Sequence, residues 1–576
     1  MSLLDIFVTN RRIAYFSMEI ALRPEMHTYA GGLGMLAGDV ARACADLELP
    51  VVFVTLISRE GYLRQEIDDV GRQIDLADSW APEPWLSKLD AKIALQIEWR
   101  EVWVRPWLYI VDGPAGYEVP VILLDTDLEE NALEDRRITH RLYGGDQADR
   151  LRQEIVLGIG GLRILRALGF EIHTYHLNEG HAALLCLDLL RRYARPAELA
   201  LPEECSDYVR ELCAACVYDV MQVRERCVFT THTPVEAGHD RFPYGLVEQL
   251  LGDFMAIDQL KLVGGADSLN MTRVALNLSG YVNGVAERHA ETSRRMFKGF
   301  RIHAITNGVH AATWTSESFA RLYQAHIPHW QHEPELLVRA DRLPDDAVWA
   351  AHQEAKRTLL SRVEALTGVA LDPEVPLIAW ARRMTGYKRP ELLFSNVERL
   401  VAIHRRHPFQ VVIAGKAHPQ DGTGKQAIEG IHRRIGELSG ILPIAFLSNY
   451  DMELARTLVA GADVWINTPL PPLEASGTSG MKAALNGVLN FSVPDGWWRE
   501  ALIDDDNGWA IGDGTPERAD RDAGILYETL EQKVLPLFYE DRVKWIWMMK
   551  QSISKIAYYF NSHRMMRRYA AEAYLR

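Results

Sequence analysis

A glycine-rich stretch running from Asn467 to Trp498 carries residue types that can hold an anion and an aldehyde side by side. The apolar run ADVWIN leads into it and is typical of a buried strand, after which glycines allow a tight turn into a helix that begins near Ser476 or Thr478. The free backbone N–H groups of that helix start, together with the hydroxyls of Thr478 and Ser479, predict a phosphate site. Lys482 follows within one turn, where it can bind the anion or form an imine with an aldehyde. The alternative interpretation is a glycine-rich loop with a solvated lysine.

A second chemically unusual stretch, ARRMTGYKRP, follows the apolar run VPLIAWA. Its cations Arg382, Arg383, Lys388 and Arg389 lie close together in a chain whose formal net charge is −15. Cations at the start of a helix oppose the helix dipole unless an anion is present. The loop therefore predicts an anion site, and solvated side chains are the alternative.

Polar residues also follow three apolar runs in the first half of the chain, in HLNEGH, VFTTHTP and AITNGVH. The carboxyl ends of parallel strands meet at one edge of a sheet, where ligands bind. His232, taken alone, is more typical of a core or capping histidine than of a catalyst. The glycine loop YAGGLGMLAGD lacks the GxGxxG dinucleotide fingerprint and suits a sugar or a phosphate equally well.

The apolar pattern around these segments predicts an α/β chain with two Rossmann-like, doubly wound domains that face a cleft. Residues from about Gly61 to Asp127 alternate as in antiparallel strands, and the segment from Trp314 to about Asp372 is helical and uneven. Five apolar runs separated by helical stretches then predict a parallel sheet. The tail from about Lys533 is expected to be helical and to pack back across the first domain.

Length and charge limit the class of protein. A chain of 576 residues, 48% of them hydrophobic, exceeds what one core covers, so two or more domains are expected. The excess of 78 acidic over 63 basic residues argues against nucleic-acid or anionic-membrane partners. We find no pattern of a secretion signal and no long apolar run, so we expect a cytoplasmic protein.

Four of the six cysteines lie close together in sequence and include a CxxC pair: Cys205, Cys213, Cys216 and Cys227. A metal site is one interpretation. The other is an amphipathic helix spanning residues 207–224, on which Cys213 and Cys216 share a face. Because the outer spacings match no zinc pattern, we predict no metal.

The segment EASGTSGMKAALNG resembles the cofactor-lysine segment of the α-glucan (glycogen, starch, maltodextrin) phosphorylases, which carry pyridoxal 5′-phosphate on the lysine aligned with Lys482. Matching motifs keep the family's order across residues 12–570. The resemblance implies the GT-B glycosyltransferase architecture. Residues 1–315 would form the glucan-side domain with an antiparallel insertion, residues 316–540 the domain that binds the cofactor and phosphate, and residues 541–576 helices that return to the first domain.

The resemblance also implies roles for individual residues. Arg383 and Lys388 would grip inorganic phosphate or glucose 1-phosphate, His232 would contact the reacting glucose, and its main-chain carbonyl would support positive charge at the anomeric carbon. The implied cofactor-binding residues are Gly32, Trp314, Arg382, Tyr450, Thr478, Ser479 and Lys482. The implied sugar-side residues are Glu19, Gly31, Gly32, Leu33, Asn178, His181, Asn307 (6-hydroxyl), Tyr387, Glu474 (3-hydroxyl), Ser476 and Gly477.

The activity implied is reversible phosphorolysis of α-1,4-glucans to glucose 1-phosphate with retained anomeric configuration. Phosphate would protonate the glycosidic oxygen and then attack the same face, with the cofactor acting through its own phosphate and with no catalytic carboxylate pair. We expect a homodimer. Two alternatives are a nucleotide-sugar glycosyltransferase of the same shape, which would need neither Lys482 nor pyridoxal phosphate, and a non-catalytic glucan-binding protein.

Two features depart from the family pattern. The chain is far shorter than animal or plant phosphorylases, so their control by phosphorylation or nucleotides is not carried over, and the short bacterial or archaeal type is the better match. In TSGM, Ser479 stands where relatives often have glycine, which keeps the backbone N–H and leaves the role of the side chain open.

Overall fold

Two large sheets flanked by helices organise the computed structural model, which describes residues 4–195 and 206–575. The strands, in chain order, are β1 (Ile13–Ser17), β2 (Val51–Leu56), β3 (Arg64–Ile67), β4 (Gln73–Leu76), β5 (Ser87–Lys88), β6 (Ile93–Ile97), β7 (Arg100–Asp112), β8 (Glu118–Asp125), β9 (Thr174–Asn178), β10 (Cys227–Thr230), β11 (Arg241–Pro243), β12 (Ser268–Asn270), β13 (Tyr281–Gly284), β14 (His303–Ala304), β15 (Leu377–Ala381), β16 (Gln410–Ala414), β17 (Ile444–Leu447), β18 (Val464–Asn467), β19 (Leu489–Ser492) and β20 (Gly508–Ala510).

The first sheet has ten strands in the order β14-β13-β10-β9-β1-β2-β8-β7-β5, with β6 paired to β7. All neighbours from β14 to β8 are parallel. Every residue of β1 and β2 is buried, as expected for parallel strands covered on both faces. The pairs β3–β4, β6–β7 and β7–β8 are antiparallel, which confirms the antiparallel region predicted between residues 61 and 127.

The second sheet has six strands in the order β17-β16-β15-β18-β19-β20, and all of its pairs are parallel. The five apolar runs predicted as strands are β15 to β19. The sixth strand was missed because β20 is only three residues long and begins with glycine, so it has no apolar run to recognise. The prediction of a mixed α/β chain with parallel sheets is confirmed.

Helices cover both sheets. The α-helices are Asp5–Asn10, Gly32–Asp46, Leu133–Arg136, Gln147–Ile155, Gly161–Ala167, Leu184–Leu190, Asp207–Ala215, Val220–Arg224, Tyr244–Leu251, Ile257–Gly264, Met271–Leu278, Glu287–Met296, Ala311–Trp314, Glu317–His326, Asp345–Thr367, Val397–Arg406, Gly422–Glu437, Met452–Gly461, Ser479–Ala484, Trp498–Ala501, Asp522–Thr529, Leu535–Glu540, Arg542–Ser552 and Ser562–Tyr569. Short 3₁₀ or π turns are Arg137–Thr139, Val156–Gly160, Gly180–Ala182, Glu236–Gly238, Pro334–Arg342, Gly386–Lys388, Leu392–Phe394, Pro516–Arg521, Leu530–Val534, Ile553–Ala557 and Ala570–Tyr574. No helix within the described ranges is long and apolar enough to span a membrane.

The cysteine-rich segment forms two helices, so the prediction of one continuous helix over residues 207–224 is wrong. Cys216 takes an extended backbone after the first helix, and the Asp219 side chain caps the second by accepting from two backbone N–H groups. Cys213 and Cys216 are buried in an apolar cluster, and Cys205 lies outside the described residues. Within the described residues, no cysteine belongs to a group of three potential metal ligands.

The hydrophobic interior divides into one cluster around the second sheet and two on the faces of the first. The antiparallel pair β3–β4 follows β2 in the chain, forms its own two-stranded sheet and contacts the segment after β16. Gln65 Nε2 donates to the Gly415 carbonyl at 2.9 Å, and Lys425 pairs with Asp75 at 2.6 Å. The segment after β2 is therefore held against the segment after β16.

Candidate active site

Most of the residues predicted for the site lie at or just after the carboxyl ends of strands from both sheets. Asn178 ends β9, and the other residues follow strands: His232 follows β10, Asn307 follows β14, Arg382 and Arg383 follow β15, Tyr450 follows β17, and Glu474 follows β18. Parallel strands place such residues along one edge of each sheet. The edge that sequence analysis predicted as the ligand side is therefore lined with polar groups.

The helix that carries Lys482 begins at Ser479, slightly later than predicted, and Thr478 is its N-cap residue. Gly477 delays the start because its φ of +87° is left-handed and interrupts helical geometry. Gly480 is required for a different reason: a Cβ there would lie 2.3 Å from Asn490 Oδ1. The two glycines thus set where the helix starts and how closely it packs.

Lys482 is buried beneath an aromatic ring. Its Nζ lies 3.5 Å from the ring centroid of Trp314, and the Trp314 indole N–H donates to Asp39, with 2.9 Å to each carboxylate oxygen. Burial lowers the pKa of Lys482 to about 8, while Asp39 opposes the shift. A larger share of neutral amine is therefore present near neutral pH than for a solvated lysine, which is what a nucleophilic lysine needs.

Three of the four cations after β15 are already neutralised. Arg382 donates to Glu474 Oε2 at 3.1 Å, Lys388 donates to the same oxygen, and Arg389 pairs with Asp522 at 2.6 Å. Arg383 is exposed, and no carboxylate oxygen of the described residues lies within ion-pair distance of its guanidinium. Arg383 is therefore the cation of this loop that is available to an incoming anion.

The Glu474 carboxylate holds two of these cations together. Burial raises its pKa, but Lys388 and Arg382 outweigh that effect, so the net pKa is lowered and the group is ionised. The backbone N–H of Glu474 donates to Asp495 Oδ2 at 2.9 Å, which fixes the turn. Arg382 also reaches Ser479 Oγ at 3.4 Å and so connects the cationic loop to the start of the lysine helix.

The histidine on the first sheet is neutral and fixed in orientation. His232 Nε2 lies 2.6 Å from the side-chain oxygen of Asn178, so it donates there, and Asn178 donates onward to Ser17. The backbone N–H of His232 donates to Glu179 at 2.7 Å. Burial lowers the pKa of His232 well below its usual value, so the ring acts by hydrogen bonding rather than by charge.

The glycine loop is held by a buried carboxylate. Glu19 Oε2 accepts from the backbone N–H groups of Ala30 and Gly31 at 2.7 and 3.0 Å, and Glu19 Oε1 accepts from Tyr143 at 2.9 Å. A Cβ on Gly34 would lie 2.6 Å from Glu19, which explains the glycine there. Gly32 and Leu33 open the following helix, and no atom outside the loop would contact a Cβ on Gly31 or Gly32, so their backbone borders open space.

Three of the predicted ligand-binding side chains have a buried polar atom with no hydrogen-bond partner in the described part of the chain: Asn307 Oδ1, His181 Nδ1 and Ser476 Oγ. Unpaired buried polar atoms are rare in folded proteins because each one costs about 1–3 kcal/mol. Each of these three atoms is therefore available for a hydrogen bond to a bound ligand.

The predicted residues form separate groups. Tyr387 lies beside Lys388, whose Nζ is 4.7 Å from its ring centroid, and Arg382 interacts electrostatically with Tyr450. Thr478 accepts from the Lys482 backbone N–H at 3.3 Å. No hydrogen bond in the part of the chain that the structure describes joins the His232 group directly to Lys482.

Sequence reasoning missed Asp39 and did not assign a role to Glu179. Asp39 lies in GGLGMLAGD, seven residues after Gly32 and so near the same helix face, a spacing that signals proximity to the glycine loop. Glu179 has a left-handed φ of 73°, unusual for a residue other than glycine, and accepts from His232, Thr233 and Gly180. A glutamate at this strand end was visible in HLNEGH, but its backbone strain was not.

Comparison with known proteins adds an independent finding. Residues 215–517 match the family model described as carbohydrate phosphorylase. The chain is 37% identical to maltodextrin phosphorylase of Thermococcus litoralis over 98% of this chain and 70% of that protein. It is 36% identical to glycogen phosphorylase of Aquifex aeolicus over 98% of this chain and 86% of that protein. It is also 30% identical to an uncharacterized protein of Methanocaldococcus jannaschii over 97% of this chain and 99% of that protein.

Proposed function

Because the chain belongs to the carbohydrate phosphorylase family, we propose that it is an α-1,4-glucan phosphorylase, which transfers terminal glucose units of glycogen or maltodextrin to inorganic phosphate. It is an enzyme of the transferase class. The product is glucose 1-phosphate with retained configuration, and the reaction is reversible. The observation that carries this proposal is the position of Arg383, which has no carboxylate partner among the described residues, at the edge where Arg382 reaches the start of the Lys482 helix.

The residues around Lys482 fit pyridoxal 5′-phosphate. A buried lysine whose pKa is lowered to about 8 suits attachment of an aldehyde, and the Trp314 ring supplies a flat wall beside it. Thr478, Ser479 and Arg382 supply polar groups for the cofactor phosphate at the helix start. When bound, this cofactor supplies a phosphate group whose second pKa of about 6 suits proton exchange near neutral pH.

The chain's own side chains bind and orient the substrates. We assign Arg383 and Lys388 to the substrate phosphate, where fixed positive charge stabilises a transition state with separated charge. Glu474 keeps Lys388 and Arg382 at the edge until the anion arrives. The ring of His232 is fixed by Asn178, and its main-chain carbonyl is assigned to the positive charge that develops at the anomeric carbon.

We infer the GT-B arrangement, in which two Rossmann-like domains face a cleft, with boundaries near residues 315 and 540. The two parallel sheets, one on each side of residue 315, support this arrangement. Within the C-terminal segment 541–576, residues up to Phe560 pack with the cluster around the second sheet, whereas Met565, Met566 and Tyr569 pack with the first. A homodimer and a cytoplasmic location stay predictions.

The decisive experiment is an assay for phosphate-dependent release of glucose 1-phosphate from maltodextrin, made together with an absorbance spectrum of the purified protein. We expect both phosphorolysis and a pyridoxal chromophore. A protein with neither, which instead transfers glucose from a nucleotide sugar, would be a glycosyltransferase of another family. Maltodextrin binding without either activity would make it a glucan-binding protein.

The lowered pKa of Lys482 predicts how cofactor uptake depends on pH. After removal of the cofactor, the rate of chromophore recovery with added pyridoxal 5′-phosphate should rise with pH and level off above about 8, because the neutral amine is the reactive form. Stopped-flow absorbance at a series of pH values measures this rate. A profile still rising steeply toward the ordinary lysine pKa of 10.5 would contradict the buried environment of Lys482.

The assignment of the sugar hydroxyls predicts which analogues fail. If Glu474 accepts from the 3-hydroxyl and Asn307 binds the 6-hydroxyl, then glucose 1-phosphate lacking either hydroxyl should be a donor about 10²-fold poorer or worse, because a buried polar group is left unpaired. Asn307→Ala should reduce the penalty for the 6-deoxy analogue and leave the 3-deoxy penalty in place. The ratio of kcat/KM for glucose 1-phosphate to that for the 6-deoxy analogue is compared in the two proteins. If this ratio is the same in the native enzyme and in Asn307→Ala, Asn307 does not bind the 6-hydroxyl.

A further inference from the structure

Three side chains from distant parts of the chain converge at one point away from the proposed active site. Asp46 ends the helix Gly32–Asp46, His310 precedes the helix that ends at Trp314, and His563 lies in the first turn of the helix Ser562–Tyr569. Their ligand atoms all lie within 4.8 Å of one another. His310 Nε2 and His563 Nε2 are 2.7 and 2.8 Å from the same oxygen, Asp46 Oδ2.

The second nitrogen of His563 is also occupied. Its Nδ1 lies 3.1 Å from the main-chain carbonyl of His332, and because a carbonyl only accepts, Nδ1 carries a hydrogen. A neutral ring then presents the lone pair of Nε2 to Asp46, whose ionised carboxylate also only accepts. Two lone pairs at 2.8 Å repel each other unless a cation lies between them, and that cation is either a second proton on His563 or a metal ion.

The surroundings favour the metal ion. His310 Nδ1 lies 2.6 Å from Thr313 Oγ1 and 3.3 Å from the Thr313 backbone nitrogen, so with a metal bound the Nδ1 hydrogen would be donated to the shorter contact, the Thr313 hydroxyl. Each imidazole then has an outer acceptor that orients its inner nitrogen, as metal-binding histidines have. Both imidazoles are buried. A cavity of about 440 Å³ lined in part by Asp46 and His310 gives access to an ion and to a water molecule.

The charged residues that line the cavity beside Asp46 are compatible with binding of a cation. Arg42, the other charged residue of the cavity that faces Asp46, donates to the Leu22 carbonyl at 2.6 Å and lies 3.8 Å from Asp39. Its positive charge is therefore shared with Asp39. Asp112 adds a further carboxylate to the lining of the cavity.

We propose that Asp46, His310 and His563 bind a divalent transition-metal ion, with a water molecule from the cavity as the fourth ligand. Two imidazole nitrogens and one carboxylate oxygen suit Zn²⁺, whereas Mg²⁺ and Ca²⁺ prefer oxygen ligands throughout. Zn²⁺ bonds of about 2.0–2.2 Å place tetrahedral ligands about 3.3 Å apart, so small rotations of the three side chains admit the ion.

The ion would fasten the C-terminal helix to the first sheet. Met565 and Met566 of that helix pack in the same cluster as Leu36 and Val40 of the helix that Asp46 ends, so the metal would join two elements that already touch. Sequence analysis predicted no metal because it searched closely spaced cysteines. The three ligands proposed here are separated by 264 positions (Asp46 to His310) and 517 positions (Asp46 to His563).

Metal analysis of the full-length protein, expressed with zinc and purified without chelators, tests the proposal. We expect about one zinc ion per chain, loss of the ion and a lower thermal midpoint after treatment with a chelator, and recovery with Zn²⁺ but not with Mg²⁺. Replacement by Co²⁺ should give the visible absorption bands of a tetrahedral site. Protein that has no stoichiometric zinc and whose midpoint does not respond to Zn²⁺ would show that a second proton holds the cluster.

Variants locate the ion. Asp46→Asn keeps the size of the side chain but removes the anionic ligand, and His563→Gln removes an imidazole, so both should lose the bound zinc and its stabilising effect. Cys213→Ala is the matched control and should keep the zinc. Retention of zinc by Asp46→Asn would overturn the proposal. If His563→Gln fails to fold, the zinc content of the native protein and of Asp46→Asn still tests it. None of these measurements depends on phosphorolysis.

Discussion

Replacing Lys482 by alanine is expected to abolish phosphorolysis and to remove the pyridoxal chromophore from the purified protein. Lys482 is buried against Trp314, with its pKa lowered to about 8, and it is the residue that would attach the cofactor. An alanine leaves no amine to hold the aldehyde, so cofactor binding and the phosphate chemistry that depends on it are lost together. Absorbance spectra and assays of glucose 1-phosphate formation measure the two effects.

The control for this variant is Lys425→Ala. Lys425 is also a lysine of the second half of the chain, but it pairs with Asp75 of β4 in a partly exposed ion pair. Such a pair contributes about 0–1 kcal/mol, so this variant should keep the chromophore and most of its turnover. A Lys482→Ala protein that still bound pyridoxal phosphate and released glucose 1-phosphate at the native rate would contradict the cofactor site proposed here.

The strands of the second sheet could be predicted because parallel strands buried on both faces are continuous apolar runs, and five of its six strands have that signature. The exception, β20, pairs with β19 through three residues, Gly508 to Ala510. A run so short has no periodicity to detect. Its place in the sheet is decided by tertiary contacts, such as the packing of Trp509 against Trp545.

Residue types and their positions at strand ends were enough to predict which residues belong to the candidate site, but not how those residues pair. The density of cations after β15 was visible in the sequence, but which of them are neutralised was not, because Glu474 and Asp522 are far away in sequence and near only in the fold. Asp39 was missed for the same reason: its partner, the Trp314 indole, is 275 positions away. The resemblance to a family predicted the roles of individual residues, whereas their ion pairs and hydrogen bonds could be identified only from the structure.

Those pairings single out Arg383 among the cations of its loop. Arg382 and Lys388 share Glu474, and Arg389 is bound by Asp522 and by the carbonyls of Thr468 and Pro469. An anion that approached any of these three would compete with an existing partner. The hydrogen-bond partner of Arg383 is the Tyr387 hydroxyl, and no carboxylate of the described residues forms an ion pair with it, so its positive charge is available to a phosphate group.

Arg383→Ala is therefore expected to lower kcat/KM for phosphorolysis by about 10²- to 10³-fold, which corresponds to about 2.7–4 kcal/mol of lost transition-state stabilisation. The apparent KM for phosphate should rise while binding of maltodextrin is unchanged. Arg383→Lys keeps the charge but loses the planar two-donor geometry, so it should recover part of the loss. Initial rates at varied phosphate, with glucan binding measured separately, give these quantities.

The matched control is Arg405→Ala, which removes an exposed arginine from the helix Val397–Arg406 of the same half of the chain. It changes the net charge by the same amount, so a general effect of charge on phosphate attraction would appear in both variants. We expect Arg405→Ala to keep native kinetics. If Arg383→Ala also kept its phosphate dependence and turnover, Arg383 would not bind the substrate phosphate. The phosphate would then have to be held by Lys388 and Arg382 after displacement of Glu474.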